Sequence, residues 1–489
     1  MTGATLGSLF PEAAGDATPV SGVTADSRKV EPGFVFVAVP GTVADGRRFV
    51  AGAVAAGAVA VVGEGDRPAG LDLACPYVAV DDVRRSLALA ARNFSGQQPT
   101  RIVAVTGTSG KSSVTDFVRQ ILSRLGCESA SLGTVGIVTN RGATYGSLTT
   151  PDPVTLQATL ARLAADGITD LAVEASSHGI EQRRLDGVEL SAVAFTNLGR
   201  DHLDYHATLD DYLAAKLRLF TTLAQPGIPA VVNADGAYAK VVIAAALARG
   251  LSLRTTGRAG ESVRLLAART EGFCQHLDVL APGLGGQTQY AVRLPLVGGF
   301  QVENALLAAG LALATPAGEA DPAGVIAALE HLTGVPGRME RIGEANGALC
   351  LVDYAHKPEA LEGVLTALRP FATGRLVCVF GCGGDRDRGK RPIMGAIAAK
   401  GADWTIVTDD NPRSEDPAAI RAEILAAASD ATEIGDRAEA IRTAVRGLSP
   451  GDVLVVAGKG HETGQIVGTT VLPFSDHDVL RAAIAERAA

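Results

Sequence analysis

A glycine-rich turn between an apolar run and a helical pattern is the segment best suited to chemistry. Four apolar residues, Ile102 to Val105, are typical of a buried parallel strand. The turn that follows has the spacing G-x-x-G-K-S from Gly107 to Ser112, and apolar residues then recur at helical spacing from Val114 to Leu125. Glycine lets backbone N–H groups approach an anion, and the start of a helix favours negative charge. The segment therefore predicts a phosphate cradle.

The lysine and the serine that follow the second glycine have separate expected roles. Lys111 supplies a point charge for the terminal phosphates of a nucleotide, and the Ser112 hydroxyl can ligate Mg²⁺. The usual G-x-x-x-x-G-K-[ST] pattern would need glycine at position 105, where this chain has valine. An ordinary strand-to-helix turn is the alternative, and the strand–turn–helix context favours the cradle.

Two later strand ends carry residues that could hold a metal ion. Glu174 follows a buried apolar run, and His202 and His206 follow the next one. Ligands bind at the carboxyl ends of strands in open α/β sheets, so Glu174 and one histidine could join Ser112 and nucleotide phosphates around Mg²⁺. Alternatively, His202 and His206 form the H-x-x-x-H zinc pair of a metallohydrolase. The phosphate cradle upstream favours the magnesium nucleotide.

The last third of the chain contains four apolar runs that end in glycine and charged residues. These four exits are DYAH (353–356), GCGGDRDRGKR (381–391), TDDNPR (408–413) and GKGHE (458–462). One such exit alone could be a solvated loop. Four of them predict a single crevice with paired acidic and basic groups.

Composition excludes several classes of protein. A chain of 489 residues is too long to fold around one hydrophobic core. Its net charge of −9 argues against a nucleic-acid binder. Its six cysteines are dispersed without a C-x-x-C pair, which predicts reduced thiols and a cytoplasmic location. The first nine residues lack a basic signal-peptide region, and the longest apolar run, 304–318, is too short for membrane insertion.

The alternation of strand and helix patterns predicts three α/β domains. Residues 1–98 form a small N-terminal domain, 99–334 a central P-loop domain with a doubly wound, mostly parallel sheet, and 335–489 a Rossmann-like C-terminal domain. Polar stretches at 26–28 and 44–48 are either solvated loops or a cradle for a nucleotide sugar. Residues 236–290 show no pattern that separates core from surface.

This organisation suits the ATP-driven joining of two substrates. ATP would phosphorylate a carboxylate, and an amine held by the third domain would attack the acyl phosphate. Domain closure would exclude the water that hydrolyses such an intermediate.

Nine motifs form one ordered set along the chain. They are TGTSGKSS (106–113), EASSHGIEQRR (174–184), TNLGRDHLDYH (196–206), AAK (214–216), GRME (337–340), DYAH (353–356), GCGGDRDRGKRP (381–392), DNPR (410–413) and GKGHE (458–462). With this set the chain resembles the Mur ligase family from Asp26 to Glu462, and the compact cradle is that family's form. The resemblance implies a monomeric ligase of peptidoglycan precursor synthesis. It would use ATP and Mg²⁺ to add meso-diaminopimelate to UDP-N-acetylmuramoyl-L-alanyl-D-glutamate, releasing ADP and phosphate.

The resemblance also implies roles for the residues that bind ATP and magnesium. The ATP-binding positions are Gly107, Thr108, Ser109, Gly110, Lys111, Ser112, Ser113, Asn304, Arg338, Asp353 and His356. Ser112, Glu174 and His202 would serve the metal, and Lys111, Lys216, Glu174 and His202 would be catalytic. By composition alone Lys216 is a solvated helix lysine. The family carries this lysine as a carbamate (N6-carboxylysine), which turns a cation into an anionic oxygen ligand.

The two remaining substrates are assigned in the same way. The UDP-muramoyl-dipeptide positions are Ser27, Thr149, Thr150, Ser176, Gln182 and Arg184, with Thr42–Ala44 on the uridine side. The diaminopimelate positions are Arg386, Asp410, Asn411, Pro412, Arg413, Gly458 and Glu462. Members of the family that add lysine lack the arginine of DNPR, and a guanidinium is suited to the second carboxylate of diaminopimelate. Lysine or another diamino acid, a folylpolyglutamate synthase and a regulatory nucleotide-binding module are the alternatives.

Overall fold

The computed structural model describes residues 3–41, 45–67, 73–144, 148–199, 205–283 and 285–488. The chain forms two compact units, Met1–Thr256 with Gly310–Ala320, and Gly257–Ala309 with Asp321–Ala489. Among the helices in the described residues, none has both the length and the apolar character that crossing a bilayer requires.

The first unit begins with a four-stranded parallel sheet in the order β1-β2-β3-β4. Its strands are β1 (Gly22–Thr24), β2 (Phe34–Val37), β3 (Ala60–Glu64) and β4 (Tyr77–Val80). Its helices are α1 (Leu6–Leu9), α2 (Val50–Ala55) and α3 (Val83–Ser95). The sequence from 49 to 58 is alanine-rich and favours a helix, and α2 occupies only its middle. The Asp45 side chain caps a separate 3₁₀ turn, Gly46–Phe49, and Gly57 has a φ of 100°.

The central sheet of the first unit runs β12-β11-β10-β5-β9-β6-β7-β8 and is parallel from β12 to β6. Its strands are β5 (Arg101–Thr106), β6 (Ser129–Gly133), β7 (Gly136–Thr139), β8 (Gly142–Thr144), β9 (Asp170–Glu174), β10 (Ala192–Phe195), β11 (Pro229–Asn233) and β12 (Ser252–Gly257). The helices around it are α4 (Lys111–Arg124), α5 (Pro153–Ala165), α6 (Ser177–Glu181), α7 (Leu209–Arg218) and α8 (Ala239–Ala248). The predicted doubly wound, mostly parallel sheet is confirmed, with an added antiparallel edge.

The middle of this sheet is buried on both faces, which explains the continuous apolar runs of its strands. Ile102, Ala104 and Val105 of β5 are fully buried. Arg101 of β5 donates to both carboxylate oxygens of Asp170 of β9, at 2.5 and 2.6 Å. This pair secures the register in which Val105 lies opposite Glu174.

The second unit contains a three-stranded antiparallel sheet and a six-stranded sheet. The former is β13 (Val263–Glu271), β14 (Cys274–Gly283) and β15 (Gly286–Leu294). The latter has the order β16-β17-β21-β18-β19-β20, in which only β16 is antiparallel. Its strands are β16 (Glu340–Ala345), β17 (Ala348–Asp353), β18 (Leu376–Phe380), β19 (Trp404–Val407), β20 (Thr432–Glu433) and β21 (Val453–Ala457), and the hairpin β22 (Gly464–Val467) and β23 (Thr470–Pro473) follows them.

Helices cover both faces of the six-stranded sheet, and an apolar core lies on each face. The remaining helices of the chain are α9 (Gly299–Ala312), α10 (Pro316–Ala320), α11 (Pro322–Ala328), α12 (Pro358–Leu368), α13 (Lys390–Gly401), α14 (Pro417–Leu425), α15 (Arg437–Arg446) and α16 (Asp476–Ala488). Single turns of other helix types are Pro11–Ala13, Ser27–Lys29, Leu219–Leu223, Leu329–His331 and Arg369–Phe371. The four predicted charged exits follow parallel strands β17, β18, β19 and β21, and therefore leave the same edge.

Candidate active site

The glycine turn joins β5 to α4 as predicted, and the end of β10 supports it. Gly107 has a φ of 145° and Gly110 a φ of 85°, values that side-chain residues rarely adopt. A Cβ on Gly107 would lie 1.9 Å from Thr196 Oγ1. The backbone N–H of Thr108 donates to the Asn197 carbonyl at 2.9 Å. The first turn of α4, which is fully described, has no capping side chain and no acidic residue. Its N-terminus is therefore suited to an anion.

Two lysines of the first unit share one carbonyl oxygen of the glycine turn. Lys111 Nζ donates to the Gly107 oxygen at 2.9 Å and Lys216 Nζ at 2.8 Å. Lys216 is 1% exposed, so the prediction of a solvated helix lysine from composition alone is wrong. Its Nζ also lies 4.1 Å from the centre of the Tyr212 ring. Two ammonium groups this close repel each other, and conversion of either one into an anion would remove that cost.

Glu174 places a buried carboxylate beside the cradle. It ends β9 opposite Val105, two residues before Gly107, and is 2% exposed. Thr134 donates to the carboxylate through its backbone N–H at 2.7 Å and through its hydroxyl at 3.2 Å. One carboxylate at a strand end next to a phosphate cradle fits Mg²⁺, which takes few protein ligands and completes its shell with waters and phosphates.

Gly133 allows this position of the Glu174 carboxylate. A Cβ on Gly133 would lie 2.0 Å from Glu174 Oε1. We expect Gly133→Ala to displace the carboxylate, lower kcat/KM by about 10²-fold and raise the half-saturating Mg²⁺ concentration. Gly52→Ala on α2 is the matched control, because its Cβ meets nothing within 4 Å. An unchanged Mg²⁺ titration in folded Gly133→Ala would contradict the role of Glu174.

Five of the six residues predicted to bind the muramoyl dipeptide form a connected hydrogen-bond network with Glu174. The Thr150 hydroxyl donates to the Glu174 backbone oxygen at 2.8 Å and lies 3.0 Å from Ser176 Oγ. Arg184 donates to the Thr150 backbone oxygen at 2.6 Å and to Gln182 Oε1 at 2.8 Å. Thr149 joins through its hydroxyl, 3.0 Å from that of Thr134. Burial lowers the pKa of Arg184, which nonetheless stays cationic at neutral pH.

Several predicted positions lie apart from this network. Ser27 is in the 3₁₀ turn capped by Asp26, and no contact joins it to the network among the described residues. His202 and the loop Thr42–Ala44 lie outside the described residues. His206 is 3% exposed and packs among the rings of His178, Tyr205 and Tyr212.

In the second unit, two of the predicted nucleotide residues, Asp353 and Arg338, adjoin the GKGHE loop. The Asp353 carboxylate accepts the N–H groups of Met339 and Ala355, both at 2.7 Å, while burial raises its pKa. The Gly458 N–H donates to the Asp353 backbone oxygen at 3.1 Å. Arg338 lies over the Tyr354 ring at 5.0 Å.

The other two nucleotide positions of this unit are also buried or half-buried. Burial lowers the pKa of His356, which is therefore neutral at pH 7. Asn304 on α9 donates to Gln301 Oε1 at 3.0 Å, and both side chains are buried.

Arg413 has a fixed place at the exit of β19. Its φ is 53°, and its guanidinium Nη1 donates to the backbone oxygens of Gly384 at 2.8 Å and Asn411 at 3.4 Å. Its own N–H donates to the Ile466 oxygen of β22 at 3.0 Å. Within the described residues, Nε and Nη2 of this guanidinium make no hydrogen bond. They are thus available to a ligand carboxylate.

A lysine that the sequence analysis did not assign completes this site. Lys459 is fully buried, and its Nζ donates to Asn411 Oδ1 at 2.9 Å and to Glu462 Oε2 at 3.1 Å. Asn411 also donates to the same Glu462 oxygen at 3.0 Å. Gly458 lies next to Asp410, the neighbour of Asn411, since a Cβ on Gly458 would be 2.8 Å from Asp410 Oδ2. The position of Lys459 inside the GKGHE motif is the signal that could have revealed it.

Comparisons with known families cover most of the chain. The sequence models of the Mur ligase family catalytic domain, the Mur ligase middle domain and the Mur ligase glutamate ligase domain match residues 19–95, 105–312 and 337–460. The chain belongs to the Mur ligase family. The predicted resemblance is confirmed, and with it the expectation of an ATP-dependent ligase.

Curated and solved relatives extend this assignment. The chain is 57% identical over 478 residues to UDP-N-acetylmuramoyl-L-alanyl-D-glutamate–2,6-diaminopimelate ligase of Bradyrhizobium diazoefficiens, covering 97% of this Mur ligase and 96% of the relative. It is 54% identical to the ligase of that name from Brucella melitensis, over 98% and 96% of the two chains. A solved structure of a ligase with that name is 34% identical, with a TM-score of 0.73 and complete coverage of both chains.

Proposed function

We propose that this Mur ligase adds meso-diaminopimelate to UDP-N-acetylmuramoyl-L-alanyl-D-glutamate in peptidoglycan precursor synthesis. The observation that carries the proposal is the likeness over nearly the full length to curated 2,6-diaminopimelate ligases, at 57% and 54% identity. The reaction takes place in the cytoplasm, and the enzyme is a monomer.

Activation of the carboxylate is assigned to the first unit. A free carboxylate of the muramoyl dipeptide attacks the γ-phosphorus of ATP, which gives an acyl phosphate and ADP. The N-terminus of α4 and Lys111 bind and orient the phosphates. Glu174, Ser112 and His202 would hold Mg²⁺, which would supply charge neutralisation at the transferring phosphoryl group. The network of Thr150 and Arg184 orients the dipeptide.

Lys216 is assigned as a carbamate. Its neutral amine adds to the carbon of CO₂ and loses one proton, so the new N–C bond leaves an anionic carboxylate on nitrogen. The remaining N–H can keep the hydrogen bond to Gly107. The modification removes the repulsion between two cations at one carbonyl oxygen and adds a ligand of the type Mg²⁺ prefers. The shared contact of Lys111 and Lys216 supports this assignment.

Selection of the amino acid is assigned to the second unit. The amine of diaminopimelate attacks the acyl carbon, phosphate leaves, and the nitrogen loses a proton. Nε and Nη2 of Arg413 receive the far carboxylate, Arg386 supplies a second guanidinium, and Glu462 accepts from the far ammonium. L-Lysine has no far carboxylate and would leave Arg413 without its partner.

One assay tests this function against its alternatives. Wild-type enzyme receives UDP-muramoyl-dipeptide, ATP, Mg²⁺ and meso-diaminopimelate, and ADP and UDP-muramoyl-tripeptide are measured together. We expect equal amounts of both products. Turnover without ATP would indicate a metallohydrolase, and ATP binding with no product would indicate a regulatory module; either result overturns the proposal.

A further inference from the structure

Two loops of the second unit are joined by several hydrogen bonds and by a close backbone contact. One is 383–386 after β18, and the other is 411–415 after β19. We call them together the loop junction. Each carries one of the two arginines assigned to diaminopimelate, Arg386 and Arg413. The junction therefore sets the backbone positions from which both guanidinium groups extend.

The backbones of the two loops are in direct contact. The Gly384 N–H donates to the Asn411 oxygen at 2.9 Å, and Arg413 returns a hydrogen bond to the Gly384 oxygen at 2.8 Å. A Cβ on Gly384 would lie 1.9 Å from the Pro412 oxygen, so only glycine fits there. The loops have no room to slide past each other.

Both loops contain a non-glycine residue in the left-handed region. Asp385 has a φ of 52° and Arg413 a φ of 53°. Such conformations cost free energy and persist only where surrounding contacts determine them. Two of them at one junction indicate that the contacts around them are strong.

Asp385 and Glu415 make those contacts. The Asp385 carboxylate accepts from the Ser414 hydroxyl at 2.6 Å and from the Ser414 N–H at 3.2 Å. The Asp385 N–H donates to Glu415 Oε1 at 2.6 Å. Hydrogen bonds between the loops therefore involve Asp385 itself and the two residues that follow Arg413.

A buried arginine fixes Glu415 in turn. Arg391 is fully buried and donates to the two oxygens of Glu415 at 2.8 and 3.0 Å, and to the Gly383 oxygen at 3.3 Å. This pairing lowers the pKa of Glu415 to about 2, and Ser414 lowers the pKa of Asp385. Both carboxylates are therefore charged at neutral pH.

We propose that Asp385, Ser414 and Glu415 are positioning residues that set amino-acid selectivity by fixing the two loops that carry Arg386 and Arg413. They touch no substrate themselves. The inference rests on the proposed function and extends it to residues outside the diaminopimelate motif. Their loss should weaken the binding of the far carboxylate and leave the other two substrates unaffected.

The test is a set of matched variants. Glu415→Gln keeps the shape and removes the charge that pairs with Arg391. Ser414→Ala removes the hydroxyl, whereas Ser414→Thr retains it and should rescue. Glu423→Gln is the control, because Glu423 also accepts from Arg391, at 2.9 Å, but contacts no residue of the loop junction among the described residues.

The readouts are the three KM values, kcat and the preference for meso-diaminopimelate over L-lysine. We expect Glu415→Gln and Ser414→Ala to raise KM for diaminopimelate by about 10- to 100-fold and to reduce the preference for it, as for a small displacement of a binding group. KM for ATP and for the muramoyl dipeptide should stay within about twofold, because none of the residues assigned to these substrates belongs to the loop junction. Ser414→Thr and Glu423→Gln should behave as wild type.

Two results would overturn the inference. One is that Glu415→Gln and Ser414→Ala both keep the wild-type KM for diaminopimelate and the wild-type preference for it over L-lysine. The other is an equal rise in all three KM values, which indicates a general loss of structure. Wild-type enzyme is assayed first: failure to use diaminopimelate would refute the proposed function, whereas normal wild-type activity with unchanged variants would refute this inference alone.

Discussion

Lys216→Ala is expected to lower kcat by about 10²- to 10³-fold, the range found when one preorganised charge-stabilising group is removed. Lys216 is buried and in contact with the Gly107 carbonyl, so its loss removes the proposed carbamate from the phosphate cradle. Initial rates of ADP release at saturating substrates measure the effect. Lys240→Ala, an exposed lysine on α8, should leave the rate unchanged.

Chemical rescue distinguishes a carbamate from a simple cation. Short-chain carboxylic acids should restore part of the activity of Lys216→Ala, because they supply an anionic oxygen to the same space. Lys216→Met, which keeps most of the volume, controls for folding through its thermal midpoint. Full activity of untreated Lys216→Ala would refute a catalytic role for Lys216. Failure of rescue in a folded variant would refute the assignment of a carbamate.

Arg413→Ala should cost about 2–5 kcal/mol in the use of meso-diaminopimelate, which corresponds to one partner of a buried charge pair. The Arg413 guanidinium is held by the Gly384 and Asn411 oxygens with Nε and Nη2 directed elsewhere, so its removal leaves the far carboxylate without its partner. The measurement is kcat/KM for diaminopimelate. Each 1.4 kcal/mol corresponds to about a tenfold loss.

An arginine outside the site serves as the control for this variant. Arg446 is an exposed residue of α15 that pairs with Glu439 and Thr443, and Arg446→Ala should retain wild-type kcat/KM. If Arg413→Ala uses diaminopimelate as well as wild type does, the assignment of the far carboxylate to Arg413 is wrong.

The strands around both sites were predictable, whereas one sheet was not. β18 and β19 end directly before the predicted exits at 381 and 408, because parallel strands buried on both faces are continuous apolar runs. β13 escaped prediction since all but two of its residues are exposed. β14, between its two neighbours, alternates buried and less buried residues over most of its length.

The residues assigned to ligands were easier to predict from the sequence than the residues that hold them in position. Gly107 stands in a glycine turn and Glu174 at a strand end, patterns that predict their chemistry, whereas the role of Arg413 is implied by the resemblance to Mur ligases. The positioning residues gave no signal in the sequence. Glu415 and Arg391 form hydrogen bonds with the loop 383–386, and such contacts leave no periodic pattern. The burial of Lys216 was likewise hidden, since a helix lysine is exposed unless the tertiary structure covers it.

The preference of the wild-type enzyme for meso-diaminopimelate over L-lysine tests the central claim most directly. Tripeptide formation is measured with each amino acid over a range of concentrations, and the two values of kcat/KM are compared. A site built around Arg413 should favour diaminopimelate by about 10⁴-fold, because lysine leaves the guanidinium unpaired. Equal use of the two amino acids, or preference for lysine, would contradict the account.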